Sequence, residues 1–283
     1  MIIWISSYPK SGNTWVRALI AHYFFSKDEK FSFDILKHIP NFNVSDFISE
    51  KTPLKSNNDI IKNWLPSQRF INQKFKRNLL FKTHNACIEV DGNKFTNKEV
   101  SAGCIYIVRD PRNVLSSYKN FEQKTYEEIA KNMFDEKGYL LSNESTFKKF
   151  GIKGTELITS WSKHYNSWVH NKYDIPICLI KYENLLKNTS KEFIKIFNFL
   201  KKINKEKNII VDNDRLKNTI KETSFENLKK LENSNGFSER KKRDVKFFNL
   251  GKANEWQLIL PKEISFKIEE KFAKEMTELN YIK

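Results

Sequence analysis

The sequence predicts an α/β protein, a three-layer sandwich in which a central parallel sheet is flanked by helices on both faces. Short apolar runs without clean alternation recur along the chain, and amphipathic segments separate them. Strands buried on both faces of a parallel sheet are apolar throughout, whereas half-exposed strands alternate. A folded core is further indicated by 39% hydrophobic residues and by 23 phenylalanines spread over 283 residues. In such a fold, ligands bind beyond the carboxyl ends of the strands.

Four apolar runs are the predicted strands. They cover residues 1–7, 78–84, 103–108 and 176–182. Helices are predicted over residues 13–25 and from Pro111 onwards, where Asp110 can cap the helix that the proline begins. Another helix is predicted from Pro261, because apolar residues recur there at helical spacing. Its apolar stripe is formed by Ile264, Ile268, Phe272 and Met276.

The whole chain, residues 1–283, is predicted to form a single domain, because no repeat and no Gly/Ser-rich or Pro-rich linker divides it. Polar, irregular segments at 26–76, 122–152 and 232–256 are predicted to be lids that shape an acceptor site. The first two segments contain many aromatic residues, which either line an apolar acceptor pocket or pack the lids. These aromatic residues are Phe31, Phe33, Phe42, Phe47, Trp64, Phe70, Phe134, Tyr139 and Phe147.

Composition limits the classes of function. Lys and Arg number 50 against 34 Asp and Glu, so the net charge is +16, which favours a nucleic acid, an anionic membrane or a phosphorylated ligand as partner. Three widely spaced cysteines exclude a disulfide framework and a thiolate metal cage, and no other metal cluster is visible. Without a secretory signal or an apolar run of about 18 residues, the expected location is cytoplasmic, with no membrane span.

An anion-binding loop is predicted at residues 8–15, between the first strand and the first helix. Backbone N–H groups and the positive end of the helix dipole face a ligand at such a junction. Gly12 permits close approach of the backbone, and polar side chains add donors. These side chains are Lys10, Ser11, Asn13 and Thr14. The alternative is an ordinary polar turn with a capped helix, and the segment lacks the P-loop motif of nucleotide-binding proteins.

Arg109 at the end of the third strand and Ser117 in the following helix form a second candidate site. An arginine at a strand end and a serine eight residues later can converge on one dianion. The alternative is an ion-paired strand exit followed by an ordinary capped helix. Together with the loop at 8–15, the pattern favours a phosphorylated ligand.

His84 is the candidate general base, because it ends the second apolar strand two residues after Lys82, at the predicted ligand edge. An imidazole with an ordinary pKa near ~6.5 can take a proton at neutral pH. Structural roles are expected for the other four histidines. These are His22, His38, His164 and His170.

The segments at 10–15 and 106–118 closely resemble the 5′-phosphosulfate and 3′-phosphate motifs of the cytosolic-type sulfotransferases, which use 3′-phosphoadenylyl sulfate (PAPS). The resemblance extends to the Lys-Thr-His segment at 82–84 and runs in order along the chain. It implies a P-loop-like sulfotransferase architecture and in-line transfer without metal. It also implies that Arg109 and Ser117 hold the 3′-phosphate. The implied catalytic residues are His84, Lys10, Lys82 and Ser117.

The resemblance also implies the contacts of the nucleotide. The expected cofactor-binding residues are Lys10, Ser11, Gly12, Asn13, Thr14, Trp15, Arg109, Ser117, Tyr182, Thr223, Ser224, Phe225, Phe247, Phe248, Asn249 and Gly251. The third family motif is altered, since Asn249 and Leu250 stand where the family has Arg-Lys, and Asn254 replaces a glycine. The lost Arg would contact the 3′-phosphate. Its hypothetical replacement is one of Arg240, Lys241, Lys242, Arg243, Lys246 and Lys252.

The predicted function is transfer of the sulfuryl group from PAPS to a hydroxyl or amine of a small-molecule acceptor, with release of the desulfonated product PAP. One alternative is a P-loop-type kinase using ATP and Mg²⁺, which the absent Walker sequence disfavours. Another is a nucleic-acid binder, which the charge alone favours because no recognition motif is present. The identity of the acceptor and the oligomeric state stay open.

Overall fold

A computed structural model describes residues 1–27, 29–48, 54–141, 154–240, 245–249 and 255–283. Its centre is a four-stranded parallel sheet in the order β2–β1–β5–β8. The strands are β1 (Ile2–Ser7), β2 (Leu79–Thr83), β3 (Glu89–Val90), β4 (Asn93–Lys94), β5 (Ser101–Val108), β6 (Tyr139–Leu141), β7 (Gly154–Leu157) and β8 (Ile177–Lys181). The four predicted strands are therefore confirmed as the central sheet, and β5 begins two residues earlier than predicted.

Helices cover both faces of the sheet, which confirms the predicted sandwich. The α-helices are α1 (Asn13–Phe25), α2 (Asn57–Lys62), α3 (Trp64–Phe75), α4 (Pro111–Glu122), α5 (Tyr126–Phe134), α6 (Trp161–Val169), α7 (Tyr182–Lys187), α8 (Thr189–Ile203), α9 (Asn213–Glu222), α10 (Phe225–Asn235), α11 (Trp256–Ile259), α12 (Lys262–Lys271) and α13 (Ala273–Glu278). Among the described residues, no helix is long and apolar enough to cross a membrane.

Two apolar clusters lie on opposite faces of the sheet, because successive side chains of a strand point to opposite sides. Ile3 and Ile5 of β1 belong to the cluster that includes α1 and α8, whereas Trp4 packs with Phe81 on the other face. All six residues of β1 are buried. Burial on both faces explains why this strand is apolar throughout its length.

The prediction of an irregular lid over residues 26–76 is wrong for its second half, where α2 and α3 form. Ser56 and Asp59 build a capping box at the start of α2. Trp64 is 1% exposed and packs in the core against Phe95. Burial of their apolar side chains in the core stabilises these helices although their sequence is largely polar, since tertiary contacts override weak local patterns.

Two smaller differences concern the other predicted elements. The segment at 122–152 contains α5 and β6, so it is irregular only in part. The predicted C-terminal helix divides at Phe272 into α12 and α13, with Phe272 fully buried. Of the aromatic residues in the first two segments, Phe147 lies outside the described part of the chain, and the role of these segments as acceptor lids stays a prediction.

The sheet order creates a switch point between β1 and β5, because the chain proceeds from β1 to one side and from β5 to the other. Ligand sites form at such points, beyond the carboxyl ends of the strands. The loops after β1, β2 and β5 meet there. They carry the anion-binding loop, His84 and Arg109, respectively.

Candidate active site

The loop between β1 and α1 has a backbone that requires glycine at one position. Gly12 has φ 102° and directly precedes α1, and Lys10 also has a positive φ of 66°. A Cβ atom at position 12 would lie 2.6 Å from Cδ2 of the Tyr182 ring. Gly12 therefore provides both the left-handed turn and the close approach of Tyr182 to the start of the helix.

Several polar atoms around this loop are buried without a hydrogen-bond partner in the described part of the chain. They are Ser11 Oγ, Asn13 Oδ1, Trp15 Nε1 and Arg109 Nε. Most buried polar atoms in folded proteins are hydrogen bonded, so a group of four at one strand edge indicates a ligand with several polar atoms. The other amide atom of Asn13, Nδ2, donates to Ile5 O at 3.1 Å, which orients this side chain.

The ammonium group of Lys10 lies between two aromatic rings. Its Nζ is 4.1 Å from the centroid of Phe121 and 4.1 Å from that of Phe247. Burial, with Arg109 and Lys82 nearby, lowers the pKa of Lys10 to about 7. The rings favour the charged form through cation–π attraction, but burial and two neighbouring cations oppose it. An anion bound here would restore the full charge.

Arg109 connects the loop with the predicted adenine contacts. Its Nη1 donates to Lys10 O at 3.1 Å, and its guanidinium lies 4.2 Å from the centroid of the Tyr182 ring. Tyr182 meets Trp15 edge to face, with ring centroids 5.8 Å apart. The structure thus brings together Lys10, Gly12, Trp15, Arg109 and Tyr182, which the sequence placed in three separate segments.

Asp110, which follows Arg109, caps α4 as predicted and accepts from Arg112 N–H at 2.9 Å. Its salt bridge is formed with the Arg112 side chain at 2.6 Å. Arg109 is therefore not the ion-pair partner of Asp110. Ser117 lies in α4 and is partly buried, one helical turn before Phe121, whose ring lies beside Lys10.

In the Thr-Ser-Phe segment at 223–225, both hydroxyl groups form hydrogen bonds at the ends of helices. Thr223 Oγ1 donates to Thr219 O at 2.7 Å, and Ser224 Oγ accepts from Asn227 N–H at 3.3 Å to cap α10. The Phe225 ring lies 6.1 Å from that of Phe248. The segment therefore joins the described part of the third motif through an aromatic contact.

Glu232 forms hydrogen bonds with the backbone of the third motif, at residues 247 and 248. Its carboxylate accepts from the backbone N–H groups of Phe247 at 2.7 Å and Phe248 at 2.9 Å. Arg240, one candidate for the missing family arginine, donates to the same carboxylate from Nε at 2.5 Å. Lys246 is exposed. The other candidates, Lys241, Lys242, Arg243 and Lys252, lie outside the described residues, as do Leu250, Gly251 and Asn254.

Lys229 is a cation that sequence reasoning missed. It lies in α10, and its Nζ donates to the backbone oxygen of Asn249 at 3.2 Å. Asn249 occupies the position where the family has arginine. No local pattern marks Lys229, because it is one of many lysines on amphipathic helices and only the fold brings it to Asn249.

Hydrogen bonds at the ring Nδ1 and at the backbone hold His84 and leave Nε2 for a ligand. Nδ1 lies 2.7 Å from Ser7 O, and since a carbonyl only accepts, Nδ1 carries the proton. The backbone N–H of His84 donates to Glu156 Oε1 at 2.6 Å, and its oxygen lies 3.0 Å from His164 Nε2. Tyr106 completes the arrangement with a 2.8 Å hydrogen bond to His164 Nδ1. His164 thus supports the candidate base.

Electrostatics keep the His84 imidazole neutral. Burial and the Lys82 ammonium lower the pKa of His84 to about 3. Burial raises the pKa of Glu156 above its usual range, although its bond from His84 N–H and the charge of Lys82 oppose that shift. A neutral imidazole with the proton on Nδ1 has its Nε2 lone pair available as a base at neutral pH.

Lys82 forms a salt bridge with Glu239, a residue whose local sequence suggests only the edge of a charged run. Lys82 Nζ lies 3.0 Å from Glu239 Oε2. The same carboxylate accepts from Arg17 Nη1 at 2.5 Å and from Thr14 Oγ1 at 3.3 Å. Glu239 is thus a carboxylate inside a cationic site. Among the described residues, no group of three or more His, Cys, Asp or Glu could hold a metal ion.

The profile of the family described as "Sulfotransferase domain" matches residues 2–280. The amine sulfotransferase of Oryctolagus cuniculus is 23% identical over 286 residues, covering 98% of this chain and 81% of the relative. Cytosolic sulfotransferase 17 of Arabidopsis thaliana is 26% identical over 290 residues, covering 95% of this chain and 73% of the relative.

Solved structures share the fold. Mouse sulfotransferase SULT7A1, crystallised with PAP, aligns with a TM-score of 0.57 at 19% identity, covering 97% of this chain and 84% of that chain. Retinol dehydratase, in complex with androsterone and PAP, aligns with a TM-score of 0.59 at 16% identity, covering 97% of this chain and 80% of that chain.

Proposed function

This chain belongs to the sulfotransferase-domain family, and on that basis we propose the reaction that its site performs. It is a PAPS-dependent sulfotransferase that transfers the sulfuryl group to a hydroxyl or amine of a small-molecule acceptor and releases PAP. One observation carries this proposal. A buried loop with Lys10 and Arg109 lies at the same sheet edge as His84, a neutral imidazole whose Nε2 is left for the acceptor.

The residues at the switch point fit PAPS. The loop at 10–15 would hold the 5′-phosphosulfate, while Arg109 and Ser117 would hold the 3′-phosphate. Trp15 and Tyr182 would contact adenine through their rings. The buried polar atoms of Ser11, Asn13, Trp15 and Arg109 support this assignment, because a nucleotide with two phosphate groups offers them partners.

Each of the proposed catalytic residues then has a defined task in the reaction. When bound, PAPS supplies the sulfuryl group, whose bond to the 5′-phosphate oxygen breaks as the acceptor's bond to sulfur forms. His84 Nε2 takes the acceptor proton, and Ser7 O holds Nδ1–H so that the lone pair keeps its direction. Lys10 and Lys82 stabilise negative charge on the sulfuryl and phosphate oxygens. Ser117 is the remaining proposed catalytic contact.

The acceptor and the place of action belong to the proposal as well. A small molecule with a hydroxyl or amine suits a base with one available lone pair, and a relative named for amine sulfotransfer supports the amine class. We propose a cytoplasmic enzyme and a single domain over residues 1–283. The segments at 26–76, 122–152 and 232–256 would border the acceptor.

The first test compares ligands by thermal unfolding. PAP should stabilise the folded protein, because a ligand at 100 times its Kd contributes about 2.7 kcal/mol. ATP with Mg²⁺ should stabilise it much less, since the loop lacks the P-loop motif of nucleotide-binding proteins. Stabilisation by ATP/Mg²⁺ with none by PAP would favour the kinase alternative and contradict the proposal.

The second test addresses the base. His84→Ala should reduce transfer of radiolabelled sulfuryl from PAPS by at least about 100-fold, the usual contribution of general base catalysis. PAP affinity should change little. His170→Ala is the matched control, because this histidine is exposed and pairs with Glu278 at 3.1 Å, away from the loop. Wild-type turnover in His84→Ala would show that another group takes the proton.

A further inference from the structure

Two of the three groups that bind Glu239, Thr14 and Lys82, are also the ones that the proposed function assigns to the phosphosulfate. One oxygen of its carboxylate, Oε2, lies 3.3 Å from Thr14 Oγ1 and 3.0 Å from Lys82 Nζ. The other oxygen, Oε1, lies 2.5 Å from Arg17 Nη1. A carboxylate oxygen shared between a hydroxyl and an ammonium occupies the position that an oxygen of a bound anion would take.

Neighbouring cations keep the Glu239 carboxyl group in its deprotonated, negatively charged form. Burial would raise the pKa of this carboxyl, but Lys82 and Arg17 outweigh burial and hold the pKa well below its usual range. The side chain is 19% exposed and that of Lys82 is 10% exposed, so the pair is only weakly screened by solvent. Glu239 is therefore an anion at every pH at which the enzyme would be assayed.

A sulfuryl group and the Glu239 carboxylate cannot both occupy the same face of Lys82. Each would compete for the ammonium, and two anions in contact repel each other strongly in a partly buried site. PAP has the 5′-phosphate but lacks the sulfuryl group. Glu239 can therefore stay on Lys82 beside PAP, whereas PAPS requires it to move away.

We propose that Glu239 is an internal competitor of the sulfuryl group and thereby determines the affinity of the site for PAPS relative to PAP. This inference rests on the proposed function, because it uses the assignment of Lys82 and Thr14 to the phosphosulfate. Arg17 would keep a partner when Glu239 moves, since its Nε and Nη2 also donate to Ile39 O at 3.2 and 2.9 Å. Lys82 would exchange the carboxylate for the sulfuryl oxygens.

The experiment measures the Kd of PAPS and of PAP by titration calorimetry, without acceptor, for the wild type and Glu239→Gln. Glutamine keeps the shape of the side chain and removes its charge. PAPS affinity should increase about tenfold, and PAP affinity should increase clearly less. Glu226→Gln is the matched control, because Glu226 is exposed on α10 and its neutralisation changes the net charge equally. Both affinities of the control should equal those of the wild type.

The inference is tested by the ratio of the PAPS affinity to the PAP affinity, compared between Glu239→Gln and the wild type. An unchanged or decreased preference for PAPS in Glu239→Gln would overturn the inference and indicate that Glu239 positions Lys82 instead. Thermal unfolding without ligand shows whether the variant folds, and Glu239→Asp provides a second measurement, with a shorter carboxylate and an expected smaller gain. If the wild type binds neither PAP nor PAPS, the proposed function itself fails, which is distinct from an unchanged ratio.

Discussion

At the scale of single residues, Lys10 should make ligand binding at the site depend on pH. Its ammonium lies between Phe121 and Phe247, and its pKa of about 7 results from burial and from the neighbouring cations Arg109 and Lys82. In the free protein it is mostly charged below pH 7 and mostly neutral above it. A bound phosphate favours the charged form and raises this pKa, so binding above pH 7 takes up a proton.

The affinity for PAP should therefore decrease as pH rises above 7, by up to about tenfold per pH unit until the pKa of the complex is reached. Calorimetry between pH 7 and 9, in buffers of different ionisation enthalpy, measures both the affinity and the proton uptake. Lys10→Arg is the control, because arginine stays charged throughout this range and should show a much flatter profile. A wild-type affinity independent of pH would exclude this coupling.

At the scale of elements, α10 contacts the altered third motif through two of its side chains. The family arginine is replaced by Asn249, and α10 brings Lys229 Nζ to 3.2 Å from the backbone oxygen of that residue. Glu232, from the same helix, holds the backbone N–H groups of Phe247 and Phe248. One helix thus fixes both the course of the segment at 245–249 and a cation beside it.

Lys229→Gln should weaken PAP binding about three- to tenfold, as expected for loss of one charge-assisted hydrogen bond. Adenosine 5′-phosphosulfate, which lacks the 3′-phosphate, should bind this variant and the wild type alike. The matched control is Lys230→Gln, since Lys230 is exposed on the same helix. Equal PAP affinity for both variants would show that Lys229 does not contact the 3′-phosphate.

At the scale of the whole molecule, the layers of the sandwich pack closely at Gly103, where a larger side chain would displace its neighbours. A Cβ atom at Gly103 of β5 would overlap Ile203 and lie 2.8 Å from Phe199 Cζ, both in α8. It would also lie 3.2 Å from the backbone oxygen of Pro176, next to β8. The start of β5, the strand that Arg109 follows, is therefore packed closely against α8 and against the backbone beside β8.

Gly103→Val should lower the free energy of unfolding by about 1–3 kcal/mol, the usual cost of overpacking. Denaturant unfolding followed by circular dichroism measures it. Adding Ile203→Ala should recover part of the loss, because it removes one of the overlapping groups. Stability equal to the wild type in the single variant would show that α8 can shift without cost.

Much of the fold was predictable because it depends on local patterns. The four apolar runs became the four central strands, and Asp110 and Pro111 begin α4 as their chemistry requires. The helices α2 and α3 were not predicted, since their stability depends on burying residues such as Trp64 against the rest of the core. Packing partners distant in sequence leave no local signal.

The sequence by itself determined the strands, the loop with Gly12, and the order of Lys10, His84 and Arg109 along the chain, because neighbouring residues specify turns and helix starts. Only the tertiary structure decided what surrounds those residues. Glu239 reaches Lys82 across 157 positions of sequence, and His164 reaches the backbone of His84 across 80. Charge pairing and burial depend on distance in space, so the protonation of the site follows from the fold.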